Sequence, residues 1–596
     1  MRATFAGLNT MVRGIMANQM SLDTTGHNIT NAGTEGYSRQ TVTLATTYAE
    51  QRPGHYGNVM VGTGVDALAV ERARDIYADI QYRNENPTQT YYQTRAKNYD
   101  KLETVFDDSQ NLGIEEAINQ FYRSWVDLST TASTASFRKQ VIEHGRNLSD
   151  LLQTATADLQ EQIRSEYEDI KSELGEIDDM LAEIVTFNKQ IVTQEATGAT
   201  ANDLRDRRDY VVDKLSDYMN IHVTENEFGA YQINSGGVTL VNGATRAHLD
   251  ISDGVSSSVY GVDYGITDYT IKIRESNTVF IPQNGILKAR LDAIAEDKTF
   301  IDSMADIAGF LLTTFNEQHK QGWDMDGHSK TDSDGNTVPD TINFYGVDGM
   351  SYQYRYDPEF NYRYVYKYDP DAADDSTNAN NKEGGELLSG VRIIAALELN
   401  TRLSENRGDR YIAAATSKQY VETTNASGNI VGTWEDMPWN NRTGDGTNAV
   451  YMSELFNIPF ETLISANKGN SDMLKDFCIL RDKDGNAIDV EGNIISDGSS
   501  YVNETLLAKM SINSYYQESM SYLGVNAYST DVNYEAMQHV MTQVTNWRDS
   551  TAGVDWNEEL TNMIKFQKGF SSCSRCLNAM DECLDRLVNS TGVVGR

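Results

Sequence analysis

From Pro87 to Pro282 the sequence contains no proline, and the whole chain of 596 residues holds only eight. Proline inside a helix removes an amide donor and clashes with the preceding turn, so this absence leaves room for long uninterrupted helices. Cysteine is as scarce, four in all, with Cys573, Cys576 and Cys583 in one short C-terminal stretch. That excludes a disulfide framework as the source of stability. Basic residues number 50 against 87 acidic ones, a formal charge of -37. Phosphate backbones would be repelled over most of such a surface, so no nucleic acid is expected as a partner. No apolar run reaches the length that crosses a bilayer, and Asn9, Thr10, Arg13 and Asn18 interrupt what would be the core of a cleaved secretory signal. Neither a membrane partner nor a cleaved signal is therefore expected. Hydrophobic residues, at 39%, can supply real cores, and this length predicts about four domains at ~150 residues each.

Signs of chemistry are also few. The eight histidines form no His-Glu-x-x-His pattern, and no Gly-x-Ser-x-Gly elbow occurs. Gly62-Thr63-Gly64 imitates half of a dinucleotide fingerprint but lacks the helix spacing and the acidic residue of a parallel βαβ unit. "LRDKDGNAIDVE" places Asp482, Asp484, Gly485 and Glu491 on four positions of a calcium loop, yet Leu480 stands where the first ligand must be. An Asp-Gly hairpin turn is the better reading. Cys573-x-x-Cys576 has neither the further ligands of a zinc site nor a thioredoxin context, and at helical spacing Cys573, Cys576 and Cys583 adjoin Phe570, Leu577 and Leu584. Packing as small apolar residues is expected. No catalytic residue, cofactor or metal is predicted, and the chain is not expected to be an enzyme.

What is present is periodicity. Phe5, Leu8, Val12, Ile15, Leu22 and Ile29 fall on alternating three- and four-residue steps at one end, and Leu560, Met563, Phe570, Leu577, Met580, Leu584 and Leu587 keep the rhythm at the other. Both ends read as coiled-coil seams that need a helical partner. Between them, Ile114, Ile118, Phe121, Trp125 and Leu128 form one helical face, and Leu159, Ile163, Ile170, Leu174, Ile177, Leu181, Ile184 and Ile191 another. After Asn220, short alternating runs punctuated by Gly and Asn read as strands. The fold class expected is α+β multidomain: terminal coiled-coil helices and a long helical bundle, with β-rich domains inserted in the middle of the chain. The predicted divisions are a terminal helix and connector (1–74) pairing with 555–596, a helical bundle (75–220), a β-rich domain (221–283) and a return helix (284–323). A β/loop insert (324–384), a return to the helical layer (385–458), a β-hairpin insert (459–500), the C-terminal part of the bundle (501–554) and the final coiled-coil helix (555–596) follow.

The oddest composition is "YQYRYDPEFNYRYVYKYDP", in which Tyr352, Tyr354 and Tyr356, then Tyr362, Tyr364, Tyr366 and Tyr368, alternate around an Asp-Pro turn. A hairpin with one tyrosine face is expected, either packed under a covered sheet or exposed as a stacking surface for glycans or protein.

The stretch "TTGHNITNAGTEGYSR" stops the first helix. Asn31 and Gly33 tolerate left-handed backbone, and "SRQTVTLATT" continues as a strand. Asn28, Asn31, Gly33, Gly36, Tyr37 and Arg39 are the candidate residues of a joint that turns the chain from the terminal helix into the connector.

"SLDTTGHNITNAGTEGYSRQTV", extended by "VGTGVDALAVERARD", resembles the N-terminal signature of the axial proteins of the bacterial flagellum. "ANDLRDRRDYVVDKLSDYMNI", "GVDWNEELTNMIKFQKGF" and the closing "MDECLDRLVNSTGVVGR" are similar to the first hook-associated protein family, that of hook-filament junction proteins. Trp556, the cysteine trio and the tyrosine-rich insert depart from that pattern. The resemblance implies a secreted structural subunit of the hook-filament junction, exported through the flagellar type III apparatus and required for filament assembly. It implies self-association into a tubular ring, contacts with hook protein and with the next hook-associated protein, and an export chaperone at the C-terminal helix. The competing class is an adhesin or carbohydrate-binding protein with flagellar ends, binding through the tyrosine hairpin.

Overall fold

A computed structural model describes residues 3–54, 57–106, 113–331, 335–360, 362–424, 428, 430–459, 462, 481–489, 493–495 and 510–589. The first helix, α1 (Ala3–Asn31), is followed by β1 (Gln40–Thr46), β2 (Glu50–Gly54), β3 (Gly57–Val61) and β4 (Val65–Arg72). β1 pairs antiparallel with β4, and β2 with β3, so the connector is one nested ribbon. Gly64, at φ 117°, lies 3.5 Å from the Thr10 backbone for any Cβ it would carry. The Gly-Thr-Gly fragment thus lets the ribbon pass close along α1, and it has no parallel βαβ context.

Asp75 caps α2 (Ile76–Val105) by accepting from the amides of Tyr77 and Ala78. α3 (Ile114–Thr130) and α4 (Ala135–Glu195) follow, and the 61 residues of α4 extend ~90 Å at about 1.5 Å per residue. α5 (Asn202–Tyr218) leads to an antiparallel sheet in the order β5 (His222–Glu225), β6 (Tyr231–Ser235), β7 (Val238–Asn242) and β8 (Thr245–Arg246). α6 (Ile286–Phe310) returns to the bundle and passes through a π-helical turn at Leu311–Phe315. α7 (Ile512–Ala552) closes the bundle, and α8 (Trp556–Asn589) runs back along α1.

The periodic residues of α3 and α4 are the core. Ile118, Phe121, Trp125, Leu128, Leu159, Ile163, Ile177 and Ile184 are fully buried, each burial stabilising by about 1.5–3 kcal/mol. Phe121 centres an aromatic cluster with Trp125, Phe315, Phe344, Tyr345 and Phe456, at ring-centroid distances of 5.3 to 6.2 Å. This core is continuous from Tyr99 to Ala527, and among the described residues none of α1 or α8 belongs to it.

Two elements differ from the sequence expectation. The stretch 385–458 holds a hairpin, Lys418–Thr424 with Ile430–Asp436, between its helices. The tyrosine hairpin forms, from Ser351–Asp357 and Tyr362–Tyr368, but it has no single tyrosine face. Its register pairs Tyr352 with Lys367, Tyr354 with Val365 and Arg355 with Tyr364. Every tyrosine stands opposite another residue type, so the two strands' tyrosines point to opposite faces. Tyr352, Tyr364 and Tyr366 are buried; the Tyr364 hydroxyl donates to Gly261 O at 2.9 Å and the Tyr352 hydroxyl accepts from Val347 N at 3.0 Å. They pack and cap backbone, leaving no exposed stacking ladder. Most of the predicted hairpin insert 459–500 lies outside the described residues, as do Leu480 and Glu491. What is described there is a turn closed by Gly485 N donating to Asp482 O at 3.0 Å, with Gly485 at φ 86° and Arg481 bridged to Ala487.

Candidate assembly interface and its joint

α1 and α8 pack antiparallel in constant register. A Cβ on Gly7 would lie 3.1 Å from Met580 Sδ, one on Gly14 3.1 Å from Cys573 Sγ, and Asn28 Nδ2 donates to Glu559 Oε2 at 3.2 Å. The face of α1 turned inward is Gly14, Ala17, Ser21, Thr25 and Asn28, all buried. Glycine inside a helix costs about 1 kcal/mol against alanine; here Gly7 and Gly14 let the two backbones approach.

This corrects the reading of α1 as a seam of large apolar residues. Leu8, Val12, Ile15, Leu22 and Ile29 are only half-buried and lie roughly a third of a turn round the helix from the small-residue stripe, at ~100° per residue. The Phe5 and Leu587 side chains lie outside the described residues. On α8, Met563, Phe570, Leu577, Met580 and Leu584 do line the side facing α1, half-buried, together with Phe566, which the heptad count passed over. Leu560, 46% exposed, turns away from it, as do Ile564 and Trp556. Cys573 faces Gly14, but Cys576 and Cys583 are exposed free thiols, so the apolar-packing expectation holds for the first alone.

The joint is built around Asn28. One turn before α1 ends, its Oδ1 accepts from Gln40 N at 2.9 Å and its Nδ2 donates to Gln40 O at 2.9 Å. The side-chain amide thus pairs with Gln40 as a neighbouring strand would, fixing the start of β1. Its Oδ1 also accepts from the Tyr37 hydroxyl at 2.8 Å. Burial, reinforced by Asp203, Asp206 and Glu559, pushes the Tyr37 phenol well above its usual range, so it stays a donor. Arg39 Nη2 donates to Glu558 at 2.6 Å and its Nε lies 2.8 Å from Glu559, while its amide donates to Ala552 O at 2.9 Å. Burial alone would lower the Arg39 pKa; Glu558 and Glu559 outweigh it and raise it. Asn31 Nδ2 bonds back to His27 O at 3.0 Å.

Left-handed backbone occurs in this joint at Gly36, φ 76°, and not at Asn31 or Gly33. A Cβ on Gly36 would sit 2.8 Å from Tyr210 Cβ, whereas one on Gly33 meets nothing within 4 Å. Gly36 is needed for both conformation and space, and Gly33 for neither.

Beneath the joint lies an ion network the sequence reading missed. Asp209 accepts from Arg72 Nη1 at 2.8 Å, Arg74 Nη1 at 2.9 Å, Arg83 Nη2 at 3.3 Å and the Tyr231 hydroxyl at 2.6 Å. Asp206 takes Arg72 at 2.8 Å and the Ser38 amide at 3.0 Å, and Asp213 takes Arg83 at 2.8 Å and Arg548. Asp79 takes Arg74 Nη2 at 2.7 Å and Arg548 Nε at 2.8 Å. Four arginines from the connector, α2 and α7 are therefore matched by four aspartates of α2 and α5. Burial would raise Asp209, but Arg74, Arg83 and Arg72 hold it far below the ordinary carboxylate range. Two sequence signals were available: Asp206, Asp209 and Asp213 share one helical face at three- and four-residue spacing, and Arg72 and Arg74 alternate along an extended chain. Among the described residues no group of His, Cys, Asp and Glu is placed to hold a metal, and no helix is long and apolar enough to cross a membrane.

Two family models match this chain. One, described as flagellar hook-associated protein FlgK helical domain, covers residues 99–333; the other, flagellar basal body rod FlgEFG protein C-terminal, covers 548–590, the end of α7 and all of α8. The chain is thus a structural protein of the flagellar axis, a component of the extracellular flagellum. It is 25% identical to flagellar hook-associated protein 1 of Bacillus subtilis over 100% of both chains, and 22% identical to that of Escherichia coli over 98% of this chain and 99% of the other. The fold is similar to that of the flagellar hook junction protein FlgK from Burkholderia pseudomallei, with a TM-score of 0.52 and 15% identity over 79% of this chain and 100% of that one. Along its whole length the chain is thus similar to the flagellar hook-associated protein 1 family.

Proposed function

We propose that the chain is the structural subunit that joins hook to filament and is required for filament assembly. It self-associates into a tubular ring through α1 and α8, meets hook protein on one side and the next hook-associated protein on the other, and leaves the cell through the type III export apparatus without a cleaved signal. A flagellar export chaperone holds the C-terminal helix beforehand. The observation that carries this is the state of the α1–α8 pair. It stands outside the continuous core, is closed by a stripe of small residues, and leaves Met16 (63% exposed), Leu560 and Ile564 open to solvent. Apolar surface of that extent on two long helices is covered by neighbouring copies in a tube. The joint and its ion network hold the pair at one angle to the bundle. A strain lacking the protein is expected to build hooks and to shed its filament subunit into the medium; normal filaments on that strain would refute the proposal.

A further inference from the structure

A cavity of about 470 Å³ opens between the bundle and the β-rich segment, where Tyr167 of α4 and Lys298 of α6 meet Tyr264, Asp268 and Tyr269. Asp268 orders it. Its Oδ1 accepts from both the Tyr167 hydroxyl at 3.0 Å and Lys298 Nζ at 2.7 Å, which fixes the carboxylate and leaves Oδ2 without a partner among the described residues. Tyr264 lies beneath the Lys298 ammonium at 5.2 Å, its hydroxyl committed to Asp302 at 2.9 Å, and Tyr269 meets Tyr167 edge-on at 5.2 Å. The Tyr269 ring reaches that position because residue 254 is glycine; a Cβ there would lie 2.7 Å from Tyr269 Cε1. Tyr260 and Lys272 stand at the rim.

Two lysines, Lys272 and Lys298, face two aspartates, Asp253 and Asp268, so the cavity has no local excess of charge to draw an ion, and the chain's net charge of -37 disfavours an anion. Aromatic rings present electron-rich faces to C–H groups, and beside them lie an oriented carboxylate acceptor, an ammonium and the rim hydroxyl of Tyr260. A ligand with a C–H face and a ring of hydroxyls satisfies both at once, and the volume lies in the range of small-ligand sites. We propose that this cavity binds a short neutral oligosaccharide, with a sugar ring against Tyr269 and Tyr260 and its hydroxyls donating to Asp268 Oδ2. It is a site apart from α1 and α8, on a component that faces the outside of the cell.

The test uses the full-length monomer, titrated with cellobiose, maltotriose and diacetylchitobiose, with a uronic acid oligosaccharide as the anionic comparison, and followed by saturation-transfer NMR. Saturable binding of at least one neutral sugar is expected, weakened at least tenfold by Asp268→Asn and by Tyr260→Ala. Tyr260 is 58% exposed, so its variant should unfold like the parent, which separates lost binding from lost structure. No saturable binding of any neutral sugar, binding unchanged in Tyr260→Ala, or binding of the uronic acid alone would overturn the proposal.

Discussion

Replacing Asp209 by asparagine keeps the shape of the joint's central side chain and removes its charge. Asp209 is 2% exposed and accepts from three arginines and Tyr231. Without it, four arginines face three aspartates, and the guanidinium groups of Arg72, Arg74 and Arg83 lose the acceptor they share. Removing one partner of a buried ion pair costs about 3–5 kcal/mol, mostly because the other charge stays buried and uncompensated. Global unfolding of so long a chain will not be two-state, so the loss should be read locally, as the opening free energy of α5 amides by native-state hydrogen exchange. A fall of about 3–5 kcal/mol is expected in α5 and at the α5-facing end of α7, with the α3–α4 core unchanged. Arg207→Gln, exposed on the same helix, should change exchange by less than ~0.5 kcal/mol. Arg74→Gln combined with Asp209→Asn should cost less than the two singly summed, since each removes the other's partner. A loss below ~1 kcal/mol for Asp209→Asn would mean that the network is solvated and does not hold the joint.

Buried Asp297, whose Oδ1 accepts from Gln162 at 3.3 Å and whose Oδ2 has no partner among the described residues, is pushed up to about 8 by burial and then by Glu166. The folded chain keeps a proton that the unfolded chain releases near pH 4, so this group's contribution should fall by about 1.4 kcal/mol per unit as pH rises from about 4 to 8; the opening free energy of α6 amides by native-state hydrogen exchange should show the slope in the parent and lose it in Asp297→Asn. Gly36→Val should destabilise the joint by ~2 kcal/mol or more through backbone strain and overlap with Tyr210, while Gly33→Val stays within ~0.5 kcal/mol, as thermal melts and filament counts would record. Timed alkylation of the monomer should label Cys576 and Cys583 fast and Cys573 slowly, and equal rates would show that α1 and α8 are unpaired before assembly.

The helical bundle was legible because large apolar residues repeat at the period of the helix, as Leu159 to Ile191 do in α4, and burial follows that period residue by residue. The α8 face was legible for the same reason. The α1 face was not, because Gly14, Ala17 and Ser21 contribute close approach rather than hydrophobicity and give no periodic apolar signal. Nor was the tyrosine register: whether two strands' tyrosines share a face depends on the residues in the loop, and the four between Asp357 and Tyr362 put them on opposite sides. At the joint, Asn28, Tyr37 and Arg39 could be singled out from an interrupted helix pattern. Gln40 is close in sequence, but their partners Glu558 and Glu559 lie over 500 residues away, and the aspartates of α5 lie more than 100 residues from the arginines they bind, which no local pattern reports.

The central claim is that α8 serves assembly and not the stability of the folded middle. Deleting Leu577 to Arg596 removes the end of α8 that packs along Gly7 while leaving Cys573 against Gly14 and Glu558 and Glu559 to complete the joint. The truncated chain is predicted to unfold at the parent's temperature by calorimetry and to be missing from the hook tip when cells are labelled with antibody against its bundle. Normal labelling of the hook tip with filaments attached, or loss of the bundle's own transition, would show that α8 is ordinary core and contradict the account.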